Sequence, residues 1–377
     1  MKTPFEFGRV VTGDTFINRK TELSKLSANF LNNINTIIIS PRRWGKSSLV
    51  KKTSLLMENE HPEIRFCFVD LFNIRTEEQF YQLFARQVIK AGSNRFEEWI
   101  EDVKTFLSRI SPRISFGIDP ITDFDLNFDV KSLQTDADEI LNLPEKLAVK
   151  KNCRFVVCID EFQNIGSFTE SLAFQKKLRS VWQHHQNVSY CFYGSKRHMI
   201  VELFEKRSFP FYKFGDLINL QKIEKIHFSE FIIRAFNQTN KSIISELAEK
   251  IVDTVKGQPY YVQQLAHITW ENTDTEANSQ IIDFALEELI TTNSIFYESE
   301  TEMLSNMQIN LLKAITSGVS QLTSVQALFD FNLGTSANVI KNQRILEKKE
   351  FLNKKTRGYE FEDPVFEIWF RKNFLEI

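Results

Sequence analysis

Three runs set reactive groups at the ends of apolar stretches: Gly45-Lys46-Ser47 after IIIS, Asp160-Glu161 after FVVCI, and Gly194-Ser195 after SYCFY. A lysine ammonium neutralises phosphate oxygens. A hydroxyl beside it can share a divalent cation with a carboxylate, and a second carboxylate can draw a proton from water. On that chemistry Lys46 meets the β- and γ-phosphates of a nucleoside triphosphate, and Ser47 and Asp160 share magnesium. Glu161 polarises the water that attacks the γ-phosphate. Ser195 either orients that water or senses the γ-phosphate, or it caps the helix that follows it, and the functional and capping roles are compatible.

A phosphate loop needs a strand, a tight turn of inward-facing N–H groups and a helix N-terminus. The stretch TIIISPRRWGKSSLV supplies all three. Its nucleotide-binding residues are expected to be Ser40, Pro41, Arg42, Arg43, Trp44, Gly45, Lys46, Ser47 and Ser48. Ser40 stands where such loops usually begin with glycine. If that position demands φ > 0, a serine there costs about 1 kcal/mol, which lowers stability slightly without abolishing binding. Arg42 and Arg43 add charge near the γ-phosphate, or else lie in solvent or pair with a lid.

These groups must be carried by a sheet. Strands are expected at residues 36–40, 64–70, 154–160 and 189–194, with helices at 46–58, 76–92, 95–110, 132–150 and 169–186. Alternating strands and helices predict an α/β core with a parallel sheet, and strands apolar on both faces agree with it. Residues 112–130 alternate with period two around Asp119-Pro120, which predicts an inserted hairpin. Beyond residue 215 helices dominate, at 242–256, 260–270 and 279–292. Helices at 307–316, 324–330 and 336–349 then precede a strand pair over 351–361, a winged-helix pattern. The expected domains are therefore 1–215, a core with the hairpin; 216–300, a helical lid; and 301–377, a winged helix.

A net charge of −2 gives no global field for nucleic acid. The N-terminal residues lack an apolar signal core and no apolar run has membrane-spanning length, so a cytoplasmic protein is expected. The four cysteines sit in strand-like contexts and read as reduced core thiols.

The ordered set of motifs resembles the archaeal-type ATPases of the STAND class, within the AAA+ group of P-loop NTPases. It comprises PFEFGRVVTGDTFINRKTEL with Arg19 and Glu22, SPRRWGKSSL, FVDLF, CIDEFQNI, YGSKRHMIVELF, GQPYYVQQL and FEDPVFEIWF. The resemblance implies a five-stranded parallel P-loop NTPase core, a helical lid and a C-terminal winged helix, with ATP and Mg2+ as cofactors. It places Arg19 near the adenine or the phosphates, and Gly257 and Pro259 where the lid meets the nucleotide. From the residues alone, Gly257 and Pro259 are a helix C-cap and a breaker. Phe214 stands where the family often has an arginine.

Three functions compete. The first is an ATPase acting as a nucleotide-dependent switch, with a protein client or self-association as its output. The second is a DNA-binding ATPase using Lys341, Arg344, Lys348, Lys349, Lys354, Lys355 and Arg357, a patch that Glu347 and Glu350 dilute. The third is a non-hydrolysing scaffold, against which Glu161 argues. The switch is preferred.

Overall fold

A computed structural model describes residues 2–92, 115–117, 125–127, 133–355 and 358–375. The chain forms two compact units, Arg19–Gln221 and Met1–Asn18 with Lys222–Ile377.

The first unit is built on strands β1 (Thr36–Ile39), β2 (Ile64–Asp70), β3 (Ser115–Gly117), β4 (Asp125–Asn127), β5 (Arg154–Asp160), β6 (Val188–Tyr193) and β7 (Asp216–Asn219). Five of them make one parallel sheet in the order β2-β5-β6-β1-β7. Ile37, Ile38 and Ile39 of β1 are all buried. Full burial of each such side chain is worth about 2–3 kcal/mol, which explains the unbroken apolar run of this interior strand. Helices α1 (Lys20–Leu31), α2 (Lys46–Glu60) and α3 (Glu77–Gly92) belong to this unit. β3 and β4 pair antiparallel within the segment expected as a hairpin. The rest of that segment, and the helix expected at 95–110, lie outside the described residues. The single helix expected at 132–150 is two, Leu133–Leu141 and Leu143–Lys151, because Pro144 starts a helix well and continues one badly.

β7 lies beyond residue 215, past the end expected for the core. Gly215 makes it possible, since a Cβ there would stand 2.3 Å from the Asn35 carbonyl oxygen. That carbonyl accepts Asp216 N at 2.8 Å. Asn35 also takes Tyr190 N onto its Oδ1 at 2.9 Å, which ties the start of β6 to the same point.

One buried histidine in this unit titrates with folding. His185 meets Tyr190 Oη through Nδ1 at 2.9 Å and Asn142 Oδ1 through Nε2 at 3.2 Å. Burial pushes its pKa down from 6.5 to about 4, with Glu145 opposing. The unfolded chain therefore takes up a proton that the folded chain refuses, and stability falls as pH drops from about 6.5 to about 4. The full loss is on the order of 3 kcal/mol. His185→Gln cannot take that proton, so its urea midpoint should decline less than that of the wild type over this window.

The second unit is helical. Lys225–Asn237, Ser245–Thr254, Pro259–Glu271 and Ser279–Glu302 come first. Asn306–Thr316, Val325–Asp330 and Ser336–Lys348 follow, then the antiparallel pair β8 (Leu352–Lys354) and β9 (Tyr359–Phe361), and the helix Pro364–Phe374. Side-chain caps set several starts: Asn278, Ser324, Thr335 and Asp363 each accept a first-turn N–H, and Ser305 forms a capping box with Gln308. The helix expected to end at 292 runs on to Glu302, burying Tyr297 and Thr301 on the way. It carries the chain across the expected boundary at residue 300 without a linker.

Asp363 does more than cap its helix. Its Oδ1 accepts Val365 N at 2.9 Å and Phe366 N at 3.0 Å, while its Oδ2 accepts the Tyr261 hydroxyl. Tyr261 and Tyr297 meet hydroxyl to hydroxyl at 3.0 Å. Lys256 pairs with Glu367, and Gln258 Nε2 reaches the Glu362 carbonyl at 3.5 Å. The Gly257-Gln258-Pro259 turn is thus clasped to the C-terminal helix of its own unit. Among the described residues no helix is long and apolar enough to cross a membrane.

Candidate active site

The loop leaves β1 at Ser40 and enters α2 at Lys46. Two left-handed residues turn it, Arg43 at φ 61° and Gly45 at φ 85°. Ser40 is not among the positive-φ residues, so the backbone penalty expected there does not arise; the strain falls on Arg43 instead. Ser40 is fully buried, and its hydroxyl donates to the Pro41 carbonyl at 3.1 Å. Lys46 Nζ donates to Pro41 O at 2.8 Å, Ser40 O at 3.1 Å and Ser40 Oγ at 3.3 Å. The ammonium is thus held inside the loop. Ser40→Gly should change ATP affinity by less than about tenfold, because it deletes one of several Lys46 partners at a position without left-handed strain. Calorimetric titration with ATP checks this, and a thousandfold gain would mean that the native loop is misformed.

The N-terminus of α2 suits an anion. Gly45 gives it no side-chain cap, and its first turn has no acidic residue. The leading N–H groups and the helix dipole therefore favour negative charge. Arg42 and Arg43 are exposed, Pro41 is buried, and Trp44 and Ser48 are half-buried. Arg19 lies against the loop: its Nη2 donates to the Trp44 carbonyl at 3.2 Å, and its Nη1 to Glu22 Oε1 at 2.9 Å and Gln221 O at 2.5 Å. Burial pulls the Arg19 pKa down, and Glu22 opposes the shift.

The sheet order explains how the other groups converge. β6 lies between β1 and β5, so Ser195, just beyond β6, stands between the loop and the end of β5. Ser47 Oγ donates to Asp160 Oδ2 at 3.0 Å. Asp160 Oδ1 accepts Glu161 N at 2.8 Å. Burial raises the Asp160 pKa to about 6; the bonds from Ser47 and Glu161 N oppose the rise, and the charges of Glu161 and Asp70 add to it. Glu161 sits in a left-handed turn at φ 53°. Its Oε1 accepts Ser195 N at 3.1 Å, and its Oε2 accepts Ser195 Oγ at 2.9 Å and the Gln163 amide.

The structure therefore brings together Arg19, the loop, Ser47, Asp160, Glu161 and Ser195. Gly257 and Pro259 belong to the other unit. There Gly257 is left-handed at φ 67° with its N–H bonded to Val252 O at 2.8 Å, and Pro259 opens the next helix. Both keep the cap-and-breaker geometry that their types predict. Phe214, in the place of the family arginine, is buried against Phe211 and Phe192 at 5.2 and 5.9 Å, with the Arg179 guanidinium 4.2 Å above its ring.

Two residues escaped the sequence reading. Asp70 is paired in register with Asp160 on the neighbouring strand, so a second carboxylate ends beside it. Aligning the ends of FCFVD and VVCID would have revealed it. Gln163 bonds Glu161 from a buried position, and nothing in its neighbours marks that role.

A parallel sheet in this order, a lysine-bearing loop after the interior strand β1, and an Asp-Glu pair at the end of β5, one strand removed, define a P-loop NTPase. Residues 16–265 match the family described as "ATPase domain predominantly from Archaea", and the chain belongs to that family. Residues 295–372 match the model described as "Probable winged helix domain". The fold is similar to that of the Walker-type ATPase PABY2304 of Pyrococcus abyssi, at 18% identity and a TM-score of 0.67, covering 98% of this chain and 100% of that one. It is also similar to the Aeropyrum pernix ORC2 protein, solved as ADPNP-ADP complexes, at 16% identity, a TM-score of 0.57 and coverages of 98% and 99%. The Aeropyrum pernix ORC1 protein in complex with DNA matches at 12% identity and a TM-score of 0.50, over 99% of this chain and 98% of that one. No curated protein matches the chain.

Proposed function

We propose that the chain binds ATP with magnesium at the Ser40–Ser48 loop and hydrolyses it slowly, as a nucleotide-dependent switch of the STAND type within the AAA+ group. The observation that carries this reading is the convergence of Lys46, Ser47, Asp160, Glu161 and Ser195 at one end of the sheet. Lys46 and the α2 N-terminus are suited to the phosphates. Ser47 and Asp160, already bonded to each other at 3.0 Å, are suited to magnesium. Bound there, the cation supplies charge neutralisation to the phosphate oxygens. Glu161 is the base, Ser195 its neighbour and γ-phosphate sensor, and Arg19 supports the loop while lying near the nucleotide.

In this reading Gly257 and Pro259 belong to the element that responds to nucleotide. The Tyr261–Asp363 and Lys256–Glu367 contacts would carry that response to the C-terminal helix, and a protein client or a second copy would receive it. DNA is less favoured as a partner. Lys355 is paired with Glu360, Lys349 donates to the Met303 carbonyl at 3.1 Å, and Arg357 lies outside the described residues.

Purified protein should turn over ATP only with magnesium, at a rate that duplex DNA leaves unchanged. Bound ATP without turnover would favour a scaffold. Tight duplex binding whose salt slope flattens on joint removal of Lys354, Lys355 and Arg357 would favour the DNA-binding ATPase.

A further inference from the structure

We infer that Gln163 is a positioning residue for hydrolysis, holding the Glu161 carboxylate against Ser195; the assignment rests on Glu161 being the base. Gln163 lies on the short 3-10 turn Phe162–Ser167 and is fully buried. Its Nε2 donates to Glu161 Oε2. Its Oε1 is buried and accepts no hydrogen bond among the described residues. The carboxylate fixes the direction of the amide, since the flipped amide would set carbonyl against carboxylate.

The turn that leaves β6 is shaped around this side chain. A Cβ on Gly194 would stand 1.9 Å from Gln163 Oε1 and 3.2 Å from the Glu161 Cα. Glycine at 194 therefore leaves the space that the amide fills. Ser195, the next residue, supplies the other two donors to Glu161, its N at 3.1 Å and its Oγ at 2.9 Å. Three donors from two elements fix the carboxylate, and of its roughly four lone-pair sites one remains for a water. Space-filling alone would be served better by methionine, which fits a similar volume without burying an unpaired carbonyl. What glutamine adds is the donor aimed at Glu161.

The test uses the full chain with Gln163→Met and, independently, Gly194→Ala, whose methyl must displace the Gln163 amide. Both should lower kcat at saturating magnesium-ATP by about tenfold or more, a positioning effect, while KM and ATP affinity stay within about threefold. Gln163→Met should melt no lower than wild type. Added to Glu161→Gln, it should cause no further loss, because the group it positions is already gone. Wild-type kcat in Gln163→Met, with Glu161→Gln inactive, overturns the positioning role and leaves the base assignment standing. Wild-type turnover in Glu161→Gln overturns the base assignment and the positioning role with it. If Gly194→Ala does not fold, Gln163→Met decides alone.

Discussion

Lys46→Ala should weaken ATP binding by about a hundredfold or more, since charge-assisted bonds to phosphate contribute roughly 1.5–3 kcal/mol each and the lysine is expected to serve two phosphates. The geometry adds a second consequence. Lys46 is 7% exposed and bonds Ser40 O, Ser40 Oγ and Pro41 O. Alanine removes the Lys46 donor from Ser40 O and Ser40 Oγ, while Pro41 O keeps the Ser40 hydroxyl, so the nucleotide-free protein should also lose about 1–3 kcal/mol of stability. Calorimetric titration with a non-hydrolysable ATP analogue reads the first effect and urea unfolding without nucleotide the second. Matching titration curves for wild type and mutant would remove the loop from the nucleotide site.

Glu161→Gln should keep ATP and lose hydrolysis by about 10²–10⁴-fold, the range that general base catalysis contributes. The amide is nearly isosteric with the carboxylate but cannot take a proton. It also meets an environment built for an acceptor: Ser195 N, Ser195 Oγ and Gln163 Nε2 all point donors at it. One half of the new amide therefore opposes a donor, and a modest loss of stability should accompany the loss of turnover. Single-turnover hydrolysis, with ATP affinity measured in parallel, separates the two. Undiminished hydrolysis would move the base to another group.

Much of this site was readable before the fold was seen, because its parts end buried strands. β2 and β5 lie where their apolar runs placed them, and Lys46 opens α2 as the loop motif requires. β7 was not readable from its residues. Asp-Leu-Ile-Asn has two apolar residues, and its place depends on contacts from elsewhere: Asn35 O to Asp216 N, and Asn29 Nδ2 to Asp216 Oδ2 at 3.0 Å. Ser40 misled for a related reason. A motif names the position where glycine is usual, whereas the actual path of the loop puts the left-handed turn at Arg43. Gln163 was hidden most deeply, since its partner and the glycine that accommodates it become neighbours only when β5 and β6 pair.

The double duty of Asp363 bears on how this chain can be cut and recombined. Tyr261 and Tyr297 are buried and face each other, and two hydroxyls so placed can satisfy only one of their two protons between them. Asp363 accepts from both, and it lies more than sixty residues further along the chain than Tyr297. A chimera joined anywhere between Tyr297 and Asp363 inherits that demand. Unless the grafted segment brings an acceptor to the same place, the hydrogen bond from a buried phenol to a carboxylate is lost, at a cost of about 1.5–3 kcal/mol. The C-terminal segment is thus a keyed part rather than an interchangeable cassette, and its key is one carboxylate that three helices read at once.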